Sequence, residues 1–167
     1  ESMCQKIESY DNLFVLRSIT KYFSLPGIRA GYGVGEKRLI SYLEKIRVPW
    51  NVNVLSQTAA VESLCDEEFI KTSRDLITKE KDFLFKEISK LDNVEILRSD
   101  TNFFLIDLKN SRIQGDEMKK RLIEKGLLVR DCSSFKGLDD SFIRISVRGR
   151  EENSLLLKAL REVLTSA

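Results

Sequence analysis

The sequence of 167 residues contains no histidine. This excludes histidine-based catalytic triads and histidine-ligated metal sites, and we predict no metal centre. Any proton transfer must therefore use lysine, tyrosine, a carboxylate or a bound cofactor. The three cysteines, Cys4, Cys65 and Cys132, are odd in number and far apart, without the spacing of metal ligands. They indicate a reducing environment, so we expect the protein in the cytoplasm.

An excess of charge of one sign and long apolar runs are also missing. The sequence has 28 basic and 26 acidic residues, which are interspersed and give a formal net charge of +2. Such a balance has no footprint for nucleic acid or for a membrane surface. No apolar run approaches the roughly 20 residues of a transmembrane helix. We therefore expect a globular protein whose partners include neither nucleic acid nor a membrane.

The first half of the chain predicts a mixture of strands and helices. Residues 12–19 form a β-rich run, apolar enough to be buried on both faces as in a parallel sheet. A turn at Pro26-Gly27 leads to a second strand over residues 28–34. Small and apolar residues at 56–64 predict a helix packed in a core, and residues 66–91 predict the longest helix.

The second half follows a different pattern, in which two strands precede each of two helices. The predicted strands cover residues 94–98, 102–108, 127–131 and 142–147, and the predicted helices cover residues 115–125 and 150–164. This ββαββα order predicts a small α+β layer with its helices on one face of the sheet.

A short stretch after the first strand combines residues that could carry chemistry. Ser18 and Thr20 precede Lys21, and Arg29 follows the lysine by eight residues. Lys21 could simply reach solvent on its flexible stem, or it could form a Schiff base with an aldehyde or carbonyl compound. The hydroxyls and the guanidinium are the donors that a phosphate monoester needs. Their other interpretation is a pair of strand-end hydroxyls that bond the backbone and an arginine in a surface ion pair.

The same stretch resembles a known family. Ser-x-Thr-Lys followed by Pro-Gly-x-Arg-x-Gly-Tyr, over residues 18–32, resembles the lysine segment of pyridoxal-phosphate enzymes of the aspartate-aminotransferase fold. Within that fold it resembles the branch of histidinol-phosphate aminotransferases and threonine-phosphate decarboxylases. The resemblance implies that Lys21 binds pyridoxal 5'-phosphate (PLP) covalently and later moves protons, and that Ser18, Thr20 and Arg29 hold the cofactor's phosphate.

The resemblance also implies the fold class and the division of the chain. The expected fold is α/β, the C-terminal part of a PLP-dependent transferase large domain followed by a small α+β domain of ββαββα order. Residues 1–75 would be a remnant of the large cofactor-binding domain, residues 76–91 a bridging helix, and residues 92–167 the small C-terminal domain. Enzymes of this family suggest a homodimer.

Four further residues are candidates for substrate binding. Arg144 lies within an apolar strand and alternates with its neighbours, so an exposed arginine is the simplest interpretation. The resemblance implies instead that Arg144 holds the substrate α-carboxylate and that Arg130 contacts a distal phosphate. An ordinary surface arrangement of Arg130 with Asp131 is the alternative. Asn102 resembles a position near the substrate, and Asn51 belongs to a segment that lines the site entrance.

The details of the motifs favour one reaction over another. The sequence Arg-Asp-Cys-Ser-Ser-Phe at residues 130–135, together with Leu-Pro-Gly at residues 25–27, is closer to threonine-phosphate decarboxylases. This resemblance implies decarboxylation of threonine O-3-phosphate to aminopropanol phosphate in cobalamin biosynthesis. Transamination of histidinol phosphate is the alternative. Both substrates are small phosphorylated amino compounds.

The resemblance matches only about the C-terminal half of such an enzyme. Enzymes of this family carry in the other half a glycine-containing phosphate loop, an aromatic stacked on the cofactor, an aspartate at the pyridinium nitrogen and a tyrosine at the phenolic oxygen. None of these can be placed in this sequence. A second hypothesis is therefore a non-catalytic fragment, and we expect the 167-residue piece alone to be inactive while its parent protein is an enzyme.

Overall fold

The computed structural model describes residues 2–166, and these separate into two compact units, with the division between Glu68 and Phe69. Residues 1 and 167, which bound the predicted first and last segments, lie outside the described residues. The three-part division at residues 75 and 91 stays a prediction. No helix of the described chain combines the length and the apolarity that a bilayer crossing requires.

The first unit is built on a β-hairpin followed by two helices. Its elements are a 3-10 helix Met3–Ser9, strands β1 Phe14–Ser18 and β2 Gly31–Gly35, and helices α1 Lys37–Ile46 and α2 Val54–Cys65. The strands pair antiparallel, from Phe14 opposite Gly35 to Ser18 opposite Gly31. Asn53 caps α2, because its side-chain oxygen accepts the Ser56 backbone N–H at 2.9 Å.

Two predictions about the packing of this unit are wrong. Strand β1 exists where it was predicted, but it pairs antiparallel with β2 and most of its residues are exposed, with Leu16 at 78%. Helix α2 also forms, yet Ser56 is its only buried residue among those described. The reason is physical, because a two-stranded hairpin has too little surface to cover both faces of a strand and the apolar side of a helix.

Close packing within the hairpin explains why Gly31 stands at the start of β2. A Cβ atom built at Gly31 would lie 2.6 Å from the backbone oxygen of Arg17, and backbone cannot yield as a flexible side chain does. We expect Gly31→Ala to lower the free energy of unfolding by about 1–3 kcal/mol and to speed hydrogen exchange of the hairpin amides. Gly27→Ala is the control, because a Cβ atom added at Gly27 would meet no heavy atom within 4 Å. Equal effects of the two changes would contradict this prediction.

The second unit is a four-stranded antiparallel sheet packed against helices. Helix α3 Glu67–Ile88 leads into it, followed by β3 Glu95–Ile96, β4 Phe103–Asp107, α4 Gly115–Glu124, β5 Arg130–Asp131, β6 Phe142–Ser146 and α5 Arg150–Thr165. The strand order is β3-β4-β6-β5. The predicted ββαββα order and α/β fold class are confirmed.

The alternation of side chains in β4 and β6 gives the sheet one core face and one open face. The core face and the helices bury a common apolar cluster that includes Leu84, Ile88, Phe104, Ile106, Met118, Leu122, Ile143, Ile145 and Leu160. Phe103, Leu105 and Arg144 alternate with these residues and are only half-buried. The open face therefore carries Arg144, one of the residues that are predicted to bind substrate.

Candidate active site

The end of β1 places two hydroxyls directly before Lys21. The Ser18 Oγ and Thr20 Oγ1 atoms lie 2.9 Å apart and share a hydrogen bond. Thr20 is buried, whereas Ser18 and Lys21 are exposed. A tight turn follows, in which the Leu25 backbone N–H donates to the Thr20 carbonyl at 2.9 Å. The turn therefore presents a pair of hydroxyls and a primary amine at one end of the hairpin.

Arg29 occupies an unusual backbone conformation in the same loop. Its φ of 55° lies in the left-handed region, which costs a non-glycine residue of order 1–3 kcal/mol. The adjacent Ile28 carbonyl accepts a hydrogen bond from the buried Ser56 hydroxyl at 2.6 Å, so α2 holds this conformation in place. The Arg29 guanidinium donates to the Pro26 carbonyl at 3.4 Å. The loop therefore places the Arg29 guanidinium at the same end of the hairpin as Ser18.

The second unit brings Arg130 and Arg144 together. They lie directly opposite each other in the β5–β6 pair, so both belong to the open face of the sheet. The Arg144 guanidinium carbon lies 5.0 Å from the ring centre of Phe103 and 6.0 Å from that of Phe135. The Arg130 guanidinium carbon lies 5.5 Å from the same Phe135 ring. Two cations therefore flank one aromatic side chain.

Neither of these guanidinium groups is neutralised by the described part of the chain. Within residues 2–166, no carboxylate oxygen lies within 4.0 Å of Arg130 or Arg144. The neighbouring Asp131 instead accepts hydrogen bonds from the Ser133 backbone N–H at 3.0 Å and hydroxyl at 2.9 Å. The hydrogen bond from the Ser133 backbone N–H lowers the pKa of the Asp131 carboxyl, and the bond from the Ser133 hydroxyl lowers it by a smaller amount. Arg130 and Asp131 therefore form no ion pair with each other, although Arg130 is exposed, and the role of Arg130 stays a prediction.

A buried thiol lies next to this pair of arginines. Cys132 is 1% exposed, and burial raises the pKa of its thiol, because desolvation disfavours the thiolate. Such a thiol is a poor nucleophile, so we assign Cys132 to packing.

The remaining predicted site residues are exposed. Asn102 immediately precedes β4, and its carbonyl accepts the Val147 backbone N–H at 2.9 Å. This bond extends the β4–β6 pairing and places Asn102 on the sheet that carries the two arginines. Asn51 follows Trp50, which is 98% exposed, and lies in the first unit. Ser18, Thr20, Lys21 and Arg29 share one hairpin end, and the binding roles of all these residues stay predictions.

Several residues that shape the site were not identified from the sequence. Ser56 and Asn53 shape the Arg29 loop, and the Asn-x-x-Ser spacing before a small-residue helix is a signal that could have indicated their capping role. Phe135 is the aromatic in the turn after β5, a position whose contacts are long-range. Nothing in the local pattern indicates that two arginines would flank it.

A buried ionic cluster supports the segment that follows β6. The Glu80 carboxylate on α3 is 2% exposed and accepts hydrogen bonds from Arg150 Nε at 3.0 and 3.1 Å and from Asn153 Nδ2 at 3.0 Å. Asn153 also bonds both backbone groups of Arg148, at 3.1 and 2.8 Å. The cluster thereby fixes the exit of the strand that carries Arg144.

Comparisons with known proteins agree on the kind of protein that this chain resembles. A family model described as aminotransferase class I and II matches residues 1–160. A histidinol-phosphate aminotransferase from Methanosphaera stadtmanae is 35% identical over 158 residues, which are 95% of this chain and 43% of that protein.

Solved structures show the same likeness. The histidinol-phosphate aminotransferase from Clostridium acetobutylicum matches 99% of this chain and 50% of its own, with 32% identity and a TM-score of 0.91. The L-threonine-O-3-phosphate decarboxylase from Porphyromonas gingivalis matches 97% of this chain and 50% of its own, with 31% identity and a TM-score of 0.84. The chain thus spans half or less of the length of these relatives.

Proposed function

Because this chain belongs to the aminotransferase class I and II family, whose members depend on pyridoxal phosphate, we propose that it carries the lysine and the substrate arginines of an enzyme that acts on a small phosphorylated amino compound. The observation that carries this proposal is that Arg130 and Arg144 lie opposite each other without a carboxylate partner. The same chain has Lys21 directly after the hydrogen-bonded hydroxyls of Ser18 and Thr20.

The chemistry of the hairpin end fits PLP. The cofactor has a phosphate monoester and an aldehyde, and these need neutral or cationic donors and a primary amine. Ser18 and Thr20 supply two hydroxyls 2.9 Å apart, and Arg29 supplies a guanidinium. Lys21 supplies the amine for the aldehyde. The donor set at this end of the hairpin therefore matches both functional groups of the cofactor.

The roles of the protein groups follow from their charge and position. When bound, PLP withdraws electrons from the substrate Cα and so labilises its bonds. The Lys21 amine removes and returns the proton at that carbon as a general base and acid. Arg144 holds the carboxylate of an amino-acid or oxo-acid substrate and Arg130 the phosphate of a phosphorylated one, each with the planar fork that suits such oxyanions. Asn102 and Asn51 are the further residues that we propose to contact the substrate.

Two reactions are supported by different observations. Amino transfer from histidinol phosphate is favoured by the likeness to the two aminotransferases, one of which has the TM-score of 0.91. Decarboxylation of threonine O-3-phosphate is favoured by the two adjacent arginines, because this substrate carries a carboxylate and a phosphate on one small molecule. We place amino transfer first, with decarboxylation, a step of cobalamin biosynthesis, as the second candidate.

A pair of product assays separates these reactions. The longest polypeptide that contains this chain is supplied with PLP and given histidinol phosphate with 2-oxoglutarate, or threonine O-3-phosphate alone. We expect glutamate from the first mixture and little carbon dioxide from the second. Carbon dioxide without glutamate would instead establish the decarboxylase, and neither product would overturn the proposed function.

The 167-residue chain is assayed in parallel. We expect it to be inactive by itself, because the remaining walls of the cofactor site have no counterpart in this sequence. We also propose that the active protein is a cytoplasmic homodimer, as the family resemblance and the free cysteines suggest.

A further inference from the structure

The two arginines of the open face are arranged in a way that is unfavourable without a ligand. Like charges directly opposite each other on paired strands destabilise a sheet. Arg130 and Arg144 are such a pair, and the described protein offers neither of them a carboxylate. The separation of their guanidinium groups must therefore be set by something other than a counter-ion.

The Phe135 ring contacts both guanidinium groups. Its ring centre lies 5.5 Å from the Arg130 guanidinium carbon and 6.0 Å from that of Arg144. Each contact has the geometry of a cation–π interaction, which attracts a guanidinium to the face of a ring. One ring thus attracts both cations, while the Phe103 ring, 5.0 Å from the Arg144 guanidinium carbon, attracts Arg144 as well.

Backbone hydrogen bonds fix the turn that carries this ring. The Phe135 N–H donates to the Cys132 carbonyl at 2.9 Å, and the Leu138 N–H donates to the Phe135 carbonyl at 3.1 Å. Two successive turns therefore fix the backbone on both sides of the ring. The Ser134 hydroxyl restrains Arg130, because it accepts a hydrogen bond from Arg130 Nη2 at 3.3 Å. Each guanidinium has five N–H donors, so donors remain on both arginines for oxyanions.

We propose that Phe135 is a positioning residue that sets the spacing of the Arg130 and Arg144 guanidinium groups, and thereby selects ligands whose carboxylate and phosphate lie the matching distance apart. This inference rests on the proposed function, in which these arginines bind a carboxylate and a phosphate, and it concerns the second candidate substrate, threonine O-3-phosphate, which carries both groups. Phe135 itself acts through the arginines and needs no contact with the reacting atoms.

The test compares a two-ended ligand with a one-ended ligand. Isothermal titration calorimetry of the full 167-residue chain measures binding of O-phospho-L-threonine and of inorganic phosphate. Phe135→Leu keeps apolar bulk but removes the ring face, whereas Phe135→Tyr keeps it. We expect Phe135→Leu to weaken binding of O-phosphothreonine about tenfold and binding of phosphate less than about twofold, with Phe135→Tyr close to the unchanged protein.

A matched control exists in the other unit. The Tyr42 ring is also flanked by two cations, with Arg38 at 5.8 Å and Lys45 at 5.5 Å, and Tyr42→Leu should leave both affinities unchanged. Equal weakening for the two ligands in Phe135→Leu, or none, would overturn the inference, as would an unchanged protein that binds the two-ended ligand no better than phosphate. Failure of the proposed function would appear separately, as missing products in the enzyme assays.

Discussion

Replacing Glu80 with alanine is expected to lower the free energy of unfolding by about 3 kcal/mol, measured by urea denaturation of the whole chain. The carboxylate is 2% exposed and accepts hydrogen bonds from Arg150 and Asn153 that join α3 to the start of α5. Removing it leaves a cavity and deletes these charge-assisted bonds. The expected loss stays below that of a fully buried pair, because the Arg150 side chain is 47% exposed and water can solvate it.

Two further variants distinguish the effect of the Glu80 charge from that of its side-chain size and from that of any ion pair between α3 and α5. Glu80→Gln keeps the size of the side chain and one acceptor oxygen, so it should cost less than the alanine variant. Glu87→Gln is the matched control, because Glu87 also joins α3 to α5 through Arg161 but its side chain is 22% exposed, against 2% for Glu80. A surface pair of this kind contributes little. If Glu80→Ala were no more destabilising than Glu87→Gln, the cluster would not stabilise the second unit.

The same carboxylate gives stability a defined dependence on pH. The Arg150 guanidinium beside Glu80 holds the pKa of that carboxyl below its ordinary value of 4.5. A group whose folded pKa is depressed stabilises the protein above its unfolded pKa and loses that contribution as the pH falls through the folded pKa. The difference in unfolding free energy between the unchanged protein and Glu80→Gln should therefore be constant near neutral pH and shrink below about pH 4.5.

The second unit was largely predictable, because the spacing of apolar residues in its strands and helices agrees with the faces that they bury. The strict alternation around Arg144 predicted its place opposite Ile143 and Ile145, which are 0% and 1% exposed. The glycine after α4 and the two strand–strand–helix repeats gave the correct order of elements. Glu80 was missed, although it lies four and eight residues before the buried Leu84 and Ile88 on α3. A carboxylate on an apolar helical stripe is a signal of a buried ion pair.

In the first unit the positions of the strands and helices were predictable, but their packing was not. An apolar strand pattern shows that residues 12–19 favour extended structure, but it cannot show whether a neighbouring layer covers them. For the site, too, the sequence predicts local groups of residues but not their long-range contacts. Lys21 and its hydroxyls are adjacent in sequence and were identified together, whereas the Arg130–Phe135–Arg144 arrangement depends on strand register and on a turn. Register is a tertiary property, set by which residues the core buries.

Replacing Lys21 with alanine is expected to abolish the covalent link to PLP and to lower the rate of the proposed reaction at least about a thousandfold, or about 4 kcal/mol in the activation barrier. The cause is chemical, because no other group in the turn combines a primary amine with adjacency to the Ser18 and Thr20 hydroxyls. Lys21→Arg keeps the positive charge but offers no amine for the aldehyde, so it should fail equally.

Borohydride reduction followed by peptide mass measurement reports the link without requiring turnover. In the longest polypeptide that contains this chain, the cofactor mass should appear on Lys21 and vanish in Lys21→Ala. Lys37→Ala, which changes an exposed lysine at the start of α1, should keep it. Thr20→Val removes only the buried hydroxyl that we propose to bind the cofactor's phosphate, so it should weaken cofactor binding while the mass on Lys21 remains at saturating PLP. Labelling of another lysine instead would show that the hairpin end is not the cofactor site.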